Sequence, residues 1–300
     1  MTRSQKTTTT SRARAARTQL TRTIGPWHLV RLLGEGAWTE VYQARPTTSA
    51  REDTADYVVK LLKPNRQDDP LAIQQLQREV FVARQVRHPH LSSILSAHTD
   101  NVPRFVVMPY VDGISLANAL QEAGRFMVPQ ALWFVRQTAE AMQALHQAGW
   151  LHGDIKPANI IVSASGHATL VDLGLARSLA TSRSPQELLT GSMFYACPEV
   201  FNPNVPFSSV SDVYSLGITL YELVTGSRPF TDEDPADLAA AHLTRAVPDP
   251  RLVAPQLPPR VSRLLRRMLA KDPLRRPNVP ELIEWLVDLE VETFSERLSA

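Results

Sequence analysis

The hydrophobic pattern of this chain changes period once, near Asp112-Gly113, and that change limits the folds open to it. Over residues 24–111 the apolar residues come in short runs, at 28–33, 57–62 and 104–108, broken by turn formers in the manner of strands. One helical stretch interrupts them. Ile73, Leu76, Val80 and Ala83 recur three and four apart, so they share a helix face, and the stretch should stop at His88-Pro89 because proline disfavours helix in the residue before it. Beyond Gly113 the spacing becomes helical: Leu132, Val135, Ala139, Met142 and Leu145 line one face, with Pro129 near the helix start. Further helical stretches cover 212–225, 260–270 and 280–289, and the Pro-rich 247–259 reads as a surface loop. The expectation is an α+β chain of two lobes, a small strand-rich one with one helix and a larger helical one.

Three hundred residues suit two lobes sharing a cleft. Lys and Arg total 32 against 30 for Asp and Glu, so the balance gives no reason to expect nucleic acid or a membrane as the main partner. The charge is not evenly spread. Positions 1–23 hold Arg3, Lys6, Arg12, Arg14, Arg17 and Arg22, no acid and almost nothing apolar, and are expected to form a disordered basic tail. Such a start is shared by solvated arms and organellar transit peptides. The single cysteine, Cys197, excludes an intrachain disulfide and fits a reducing, cytoplasmic setting. No run reaches the roughly 20 apolar residues of a membrane helix.

The segment from His152 to Asn159, HGDIKPAN, carries the chemistry. Within six residues it offers a carboxylate able to orient or accept a hydroxyl proton (Asp154), a lysine able to neutralise a transferring phosphoryl group (Lys156) and an amide able to ligate a metal (Asn159). Magnesium is usually held by one or two carboxylates plus phosphates, and Asp172, before Leu173-Gly174, supplies a second acid. Upstream, Gly34 and Gly36 join two strand-like runs and permit close approach of backbone to phosphate, a pattern that ordinary hairpins share. Lys60 ends the run Tyr57-Val58-Val59, and Glu79 lies on the helix already described and could pair with it; taken singly, each fits an ordinary surface charge.

Together and in this order, these residues resemble the eukaryotic-type (Hanks-type) serine/threonine protein kinases, in a bacterial-like form, from about Trp27 to Leu289. The resemblance implies the two-lobed kinase fold: small lobe 24–108, hinge 109–113, large lobe 114–292 and a short tail 293–300. It implies ATP in the cleft with Mg2+, or Mn2+ in its place, and protein substrates carrying Ser/Thr, this chain's own among them, with no regulator indicated. Carried over by position, Leu33, Gly34, Gly36, Val41, Val58, Lys60, Glu79, Met108, Pro109, Tyr110, Val111 and Ile161 would bind ATP. Lys60 would hold the phosphates with Glu79 as its partner, Met108 would be the gatekeeper, and 109–111 the hinge that reads adenine. Asp154 and Lys156 would be catalytic, and Asn159 and Asp172 the metal ligands. Ser192 would support the catalytic loop, Glu199 and Arg276 would form a buried ion pair, and Asp212 would brace the catalytic loop.

Departures from the family pattern carry expectations of their own. Gly153 stands where arginine usually precedes the catalytic aspartate and receives a phosphorylated activation loop, so activity is expected not to depend strongly on phosphorylation at Thr181, Ser182, Ser184, Thr190 or Ser192. Trp38 and Thr39 alter the glycine-loop tip. Val58 replaces an alanine above the base, and Ala83 a bulkier residue on the Glu79 helix, which suggests a helix held less firmly. Two other functions remain in view. The His-Gly-Asp form is shared with small-molecule phosphotransferases of the aminoglycoside-kinase type, but Pro157, Asp172-Leu173-Gly174 and Cys197-Pro198-Glu199 with Arg276 resemble protein kinases. A catalytically silent scaffold is disfavoured because no expected reactive residue is missing.

Overall fold

The computed structural model describes residues 22–50, 54–180 and 193–294. The small lobe is a six-stranded antiparallel sheet in the order β1-β2-β3-β4-β6-β5. Its strands are β1 Arg22–Ile24, β2 Trp27–Glu35, β3 Thr39–Pro46, β4 Tyr57–Leu62, β5 Ser96–His98 and β6 Phe105–Pro109. The tail expected over 1–23 gives its last two residues to β1, where Thr23 pairs with His28 and Ile24 with Trp27 across a tight turn; Gly25 takes φ 53° there. The central strand β4 is buried from Val58 to Leu62 because both faces are covered. Val59 and Leu61 pack with Leu29, Ala44, Phe105 and Val107, while Leu62 and Val106 face helix α1, Pro70–Gln85.

Helix α1 begins where the sequence stops it from beginning earlier: Asp69 accepts from the amides of Leu71 and Ala72, and Pro70 occupies the first turn. Its buried face, Ala72, Leu76, Glu79, Val80, Val82 and Ala83, contains most of the expected stripe plus one acid. The helix ends at Gln85, and Val86 is already extended ahead of His88-Pro89.

The large lobe contains β7 Ile114–Ser115, α2 Leu116–Ala123, α3 Val128–Gln147, β8 Trp150–Leu151, β9 Ile160–Val162, β10 Ala168–Leu170 and β11 Arg177–Ser178. It continues with α4 Pro198–Phe201, α5 Ser209–Thr225, α6 Pro235–Thr244, α7 Pro259–Met268 and α8 Val279–Glu292. Helix α5 is its pillar, buried on nearly every side. Ser208 and Ser211 cap its start reciprocally, and Gly226 ends it in the left-handed region at φ 81°. At Gly217 a Cβ would stand 2.9 Å from Leu269 and Met268, so the absence of a side chain lets α7 approach. The 247–259 stretch is a loop with a single 3-10 turn at Pro250–Leu252.

The lobes meet where the chain leaves α1. Leu170 N–H donates to the His90 carbonyl at 2.8 Å, Ser92 N–H donates to the Leu170 carbonyl at 2.9 Å, and His90 Nδ1 lies 2.8 Å from the Ala168 carbonyl. Backbone pairing thus ties the end of the Glu79 helix to the strand that leads into Asp172.

Candidate active site

The loop between β8 and β9 hangs from α5. Asp212, in the first turn of that helix, accepts the amides of His152 at 2.8 Å and Gly153 at 3.0 Å, and its other contact is His146 Nε2 at 2.8 Å. Burial would raise the Asp212 pKa, but these donors and the histidine charges hold it below the usual carboxylate range. His152 donates from Nε2 to the Val171 carbonyl at 3.2 Å and accepts the Asp154 amide on Nδ1 at 3.3 Å, which places its proton on Nε2. Inside the loop, Lys156 Nζ lies 2.6 Å from Asp154 Oδ2, and Asn159 Nδ2 donates to the Asp154 carbonyl at 2.8 Å and to Oδ2 at 3.0 Å. The Asp154 carboxylate is therefore oriented by two neighbours, one of them cationic.

Gly153 adopts φ 79°, and a Cβ there would come within 2.5 Å of the Leu175 carbonyl. The backbone, not only the missing side chain, excludes an arginine at this point. Arg177 fills the neighbourhood instead, its guanidinium 4.6 Å from the Phe207 ring centre.

Lys60 crosses the cleft. Its Nζ is 2.7 Å from Glu79 Oε2 and 2.8 Å from Asp172 Oδ1, so one cation joins β4, α1 and the segment after β10. Burial lowers the Lys60 pKa, and the Asp172 and Glu79 carboxylates more than reverse this and raise it. For Glu79 burial wins and the pKa is raised. Burial would also raise Asp172, but Lys60 and the Gly174 amide bring it down to about 2. Asp172 sits at φ 69°, a left-handed conformation that a non-glycine residue adopts only when its surroundings hold it there.

Above this group, Val58 is buried and pairs with Met108, while Val41 pairs with Lys60 and Gly34. Leu33 falls in an irregularity of register between Leu32 and Gly34. A Cβ on Gly34 would meet nothing within 4 Å, so the protein itself leaves that space open. Gly36 is held by its amide to the Thr39 carbonyl at 2.8 Å. In the hinge, Pro109 has no N–H and the Tyr110 N–H is taken by the Asp56 carbonyl at 2.8 Å. The Val111 N–H has no protein acceptor among the described residues. Ile161 lies half-buried in β9 below.

Asn159 and Asp172 present an amide and a carboxylate, hard oxygen donors of the kind magnesium takes. Asn159 commits its nitrogen to Asp154, which leaves its oxygen to face a metal if one binds. No cluster of three or more His, Cys, Asp or Glu residues with metal-holding geometry occurs among the described residues. A two-residue oxygen set fits an ion that completes its shell with phosphates and water.

Farther out, Arg276 Nη2 meets Glu199 Oε1 at 2.8 Å with both side chains sealed from solvent. Thr181, Ser182, Ser184, Thr190, Gly191 and Ser192 lie outside the described residues. Ala83 does not leave helix α1 displaced: Ala83 is buried and Glu79 reaches Lys60. A contact the sequence does not advertise helps hold the helix. Phe81 makes an edge contact with Trp150 at 5.8 Å, and Trp150 Nε1 donates to Gln85 at 3.0 Å, which links α1 to β8. His146 is a second residue that sequence reasoning misses, although its place in the last turn of α3, just ahead of the loop, is an available signal.

The chain is similar in sequence to known proteins. The family described as "Protein kinase domain" matches residues 27–286. Serine/threonine-protein kinase PknE of Mycobacterium tuberculosis is 34% identical over 83% of this chain and 43% of its own length. PknD of the same organism is 34% identical over 84% of this chain and 38% of its own. PknH of Mycobacterium bovis is 33% identical over 83% and 41%. The chain thus spans about two fifths of the length of these curated relatives. A match over most of the chain, on a two-lobed fold with its ionic cluster in the cleft, makes this chain a member of the protein kinase domain family.

Proposed function

We propose that this chain is a serine/threonine protein kinase that transfers the γ-phosphoryl group of ATP to Ser/Thr hydroxyls of protein substrates, including its own. The observation that carries the reading is the Lys60 ammonium held between Glu79 and Asp172, three separate segments converging on one charge between the lobes. Asp154 orients the substrate hydroxyl and accepts its proton, and Lys156, already 2.6 Å away, offsets charge on the group in transfer. Lys60 holds the α/β-phosphates, and Gly34 and Gly36 let the loop backbone close over them. Leu33, Val41, Val58 and Ile161 enclose the base, with Met108 behind it and the Val111 N–H at its edge. Asn159 and Asp172 would hold Mg2+, or Mn2+ in its place; when bound, the ion neutralises phosphate charge. The single free cysteine, buried, suits a cytoplasmic setting. Among the described residues no helix is long and apolar enough to cross a membrane.

Incorporation of radiolabel from ATP into a general protein substrate, beside an aminoglycoside panel, tests the activity. Wild type should label protein and not the small molecules, and Asp154→Asn should not label; equal labelling by wild type and variant would end the reading. The geometry at Gly153 supports activity without activation-loop phosphorylation, since no side chain fits there to receive the phosphate. Phosphatase-treated enzyme should keep most of its rate. Loss of activity that returns on rephosphorylation of the 181–192 segment would refute this.

A further inference from the structure

We propose that the face of the large lobe built around α7 docks on an anionic lipid surface, its arginines on headgroup phosphates and Leu252 and Leu274 entering the interface. Residues 250–277 contain eight basic side chains and one acid, Asp272, in a chain whose net charge is only +2. Arg276 is buried in its ion pair, and Lys271 is turned against the Phe230 ring at 4.3 Å. The other six, Arg251, Arg260, Arg263, Arg266, Arg267 and Arg275, are exposed. Helix α7 sorts its residues sharply: Val261, Ser262, Leu264, Leu265 and Met268 face the core and its four arginines face out.

Carboxylates answer only part of this charge: Asp249, just ahead of the stretch, lies within reach of the Arg251 and Arg266 charges. Arg260 pairs with Glu292 at 2.5 Å and Arg275 reaches Asp272 at 3.7 Å, while Arg267 lies over Trp285. Arg251, Arg263 and Arg266 form no ion pair among the described residues. A merely solvated charged face would account for the arginines but not for two leucines beside them. Leu274 is 93% and Leu252 80% exposed, the highest values among the large apolar side chains described. Each sits on a single 3-10 turn next to an arginine, at Pro250–Leu252 and Pro273–Arg275. Ser262 of α7 donates to Asp249 at 3.0 Å and fixes the first turn against the helix; the second follows the helix end after four residues.

The shape selects lipid over protein. Leucines raised on turns need matching pockets in a protein partner, whereas a fluid interface receives them wherever they fall. Guanidinium groups pair bidentately with phosphate, and a cluster of this size is the kind that holds a protein to an anionic leaflet. The near-neutral overall balance conceals the patch because acids lie outside this stretch, as at 232–234 and along α8 at Glu281, Glu284 and Asp288.

Co-sedimentation of the full chain with vesicles tests this without reference to phosphoryl transfer. The chain should pellet with vesicles in which about a third of the phosphatidylcholine is replaced by phosphatidylglycerol, not with phosphatidylcholine alone, and less as salt rises. Arg263→Glu/Arg266→Glu should weaken binding at least about tenfold, taking roughly fivefold per arginine, and Leu252→Ser/Leu274→Ser severalfold, with unchanged melting temperatures. Should the charge-reversed chain misfold, Arg263→Gln/Arg266→Gln takes its place. No vesicle binding overturns the proposal. So does binding that survives the patch variants and disappears when Arg3, Lys6, Arg12, Arg14 and Arg17 are changed to Gln. Binding that soluble poly-glutamate displaces, with the leucine variant equal to wild type, would assign the face to an acidic polypeptide and overturn it as well.

Discussion

Two buried ion pairs of this molecule are built to opposite ends. In the large lobe one guanidinium meets one carboxylate, Arg276 with Glu199, and the remaining Arg276 donors go to the carbonyls of Val210, Ala270 and Lys271. Charge closes there. In the cleft one ammonium faces two carboxylates, and Asp172 keeps 44% of its side chain exposed. The first arrangement leaves no net charge; the second has one more carboxylate than its cation answers, on a side chain open to solvent.

Substitutions separate the two. Lys60→Met should lower phosphoryl transfer at least about a hundredfold, because a charge aimed at the phosphates is lost, and should also cost stability, because Glu79 is left buried without its cation. Arg276→Met should cost about 3–5 kcal/mol in urea unfolding because Glu199 is left charged and buried, but with the surviving folded fraction active. Adding Glu199→Leu should recover much of that loss, since two apolar side chains replace two charges. If Arg276→Met abolished activity in molecules still folded, the division of labour would fail.

A third prediction uses protons. Near the sealed pair, burial and the Lys271 charge lower the His242 pKa to about 4. The unfolded chain binds that proton from about pH 6.5 downward and the folded one only near 4. Stability is therefore complete above 6.5, falls as pH drops from 6.5 to 4, and levels off below, a change on the order of 3 kcal/mol. His242→Leu should flatten this part of a melting-temperature profile. Asp172, with its pKa near 2, keeps its charge through the same window. The smallest effect belongs to Trp150→Phe, which keeps a ring for Phe81 and loses the bond to Gln85. About 1 kcal/mol is expected, read as a modest fall in kcat with KM for ATP unchanged.

Much of this architecture is legible in the amino-acid sequence. Leu132, Val135, Ala139, Met142 and Leu145 are all fully buried, as their spacing requires. Lys60, Glu79 and Asp172 do converge, and Asp154, Lys156 and Asn159 share one loop. What the sequence hides is non-local and made of common side chains. Helix α6 buries only Leu238, Ala241 and His242, too few to show a period, although Asp234-Pro235 marks its start. Strand β1 is hidden in the basic tail because its Arg22 finds Glu40 only across the sheet, at 3.2 Å. The Tyr110 amide looks available until Asp56, distant in sequence, is seen to claim it. The Trp150 contact to α1 is hidden for the same reason, since it lies in the other lobe.

The bend at Gly153 also constrains the history open to this chain. Glycine and arginine codons differ by a single base, so the familiar arginine is always one mutation away. With the Leu175 carbonyl 2.5 Å from where its Cβ must stand, that mutation first strains the loop that carries Asp154. Arginine becomes acceptable only after the 175 backbone has moved, and a move there serves no purpose until the arginine is present. The glycine works as a ratchet: easy to leave in the genetic code, hard to leave in the fold.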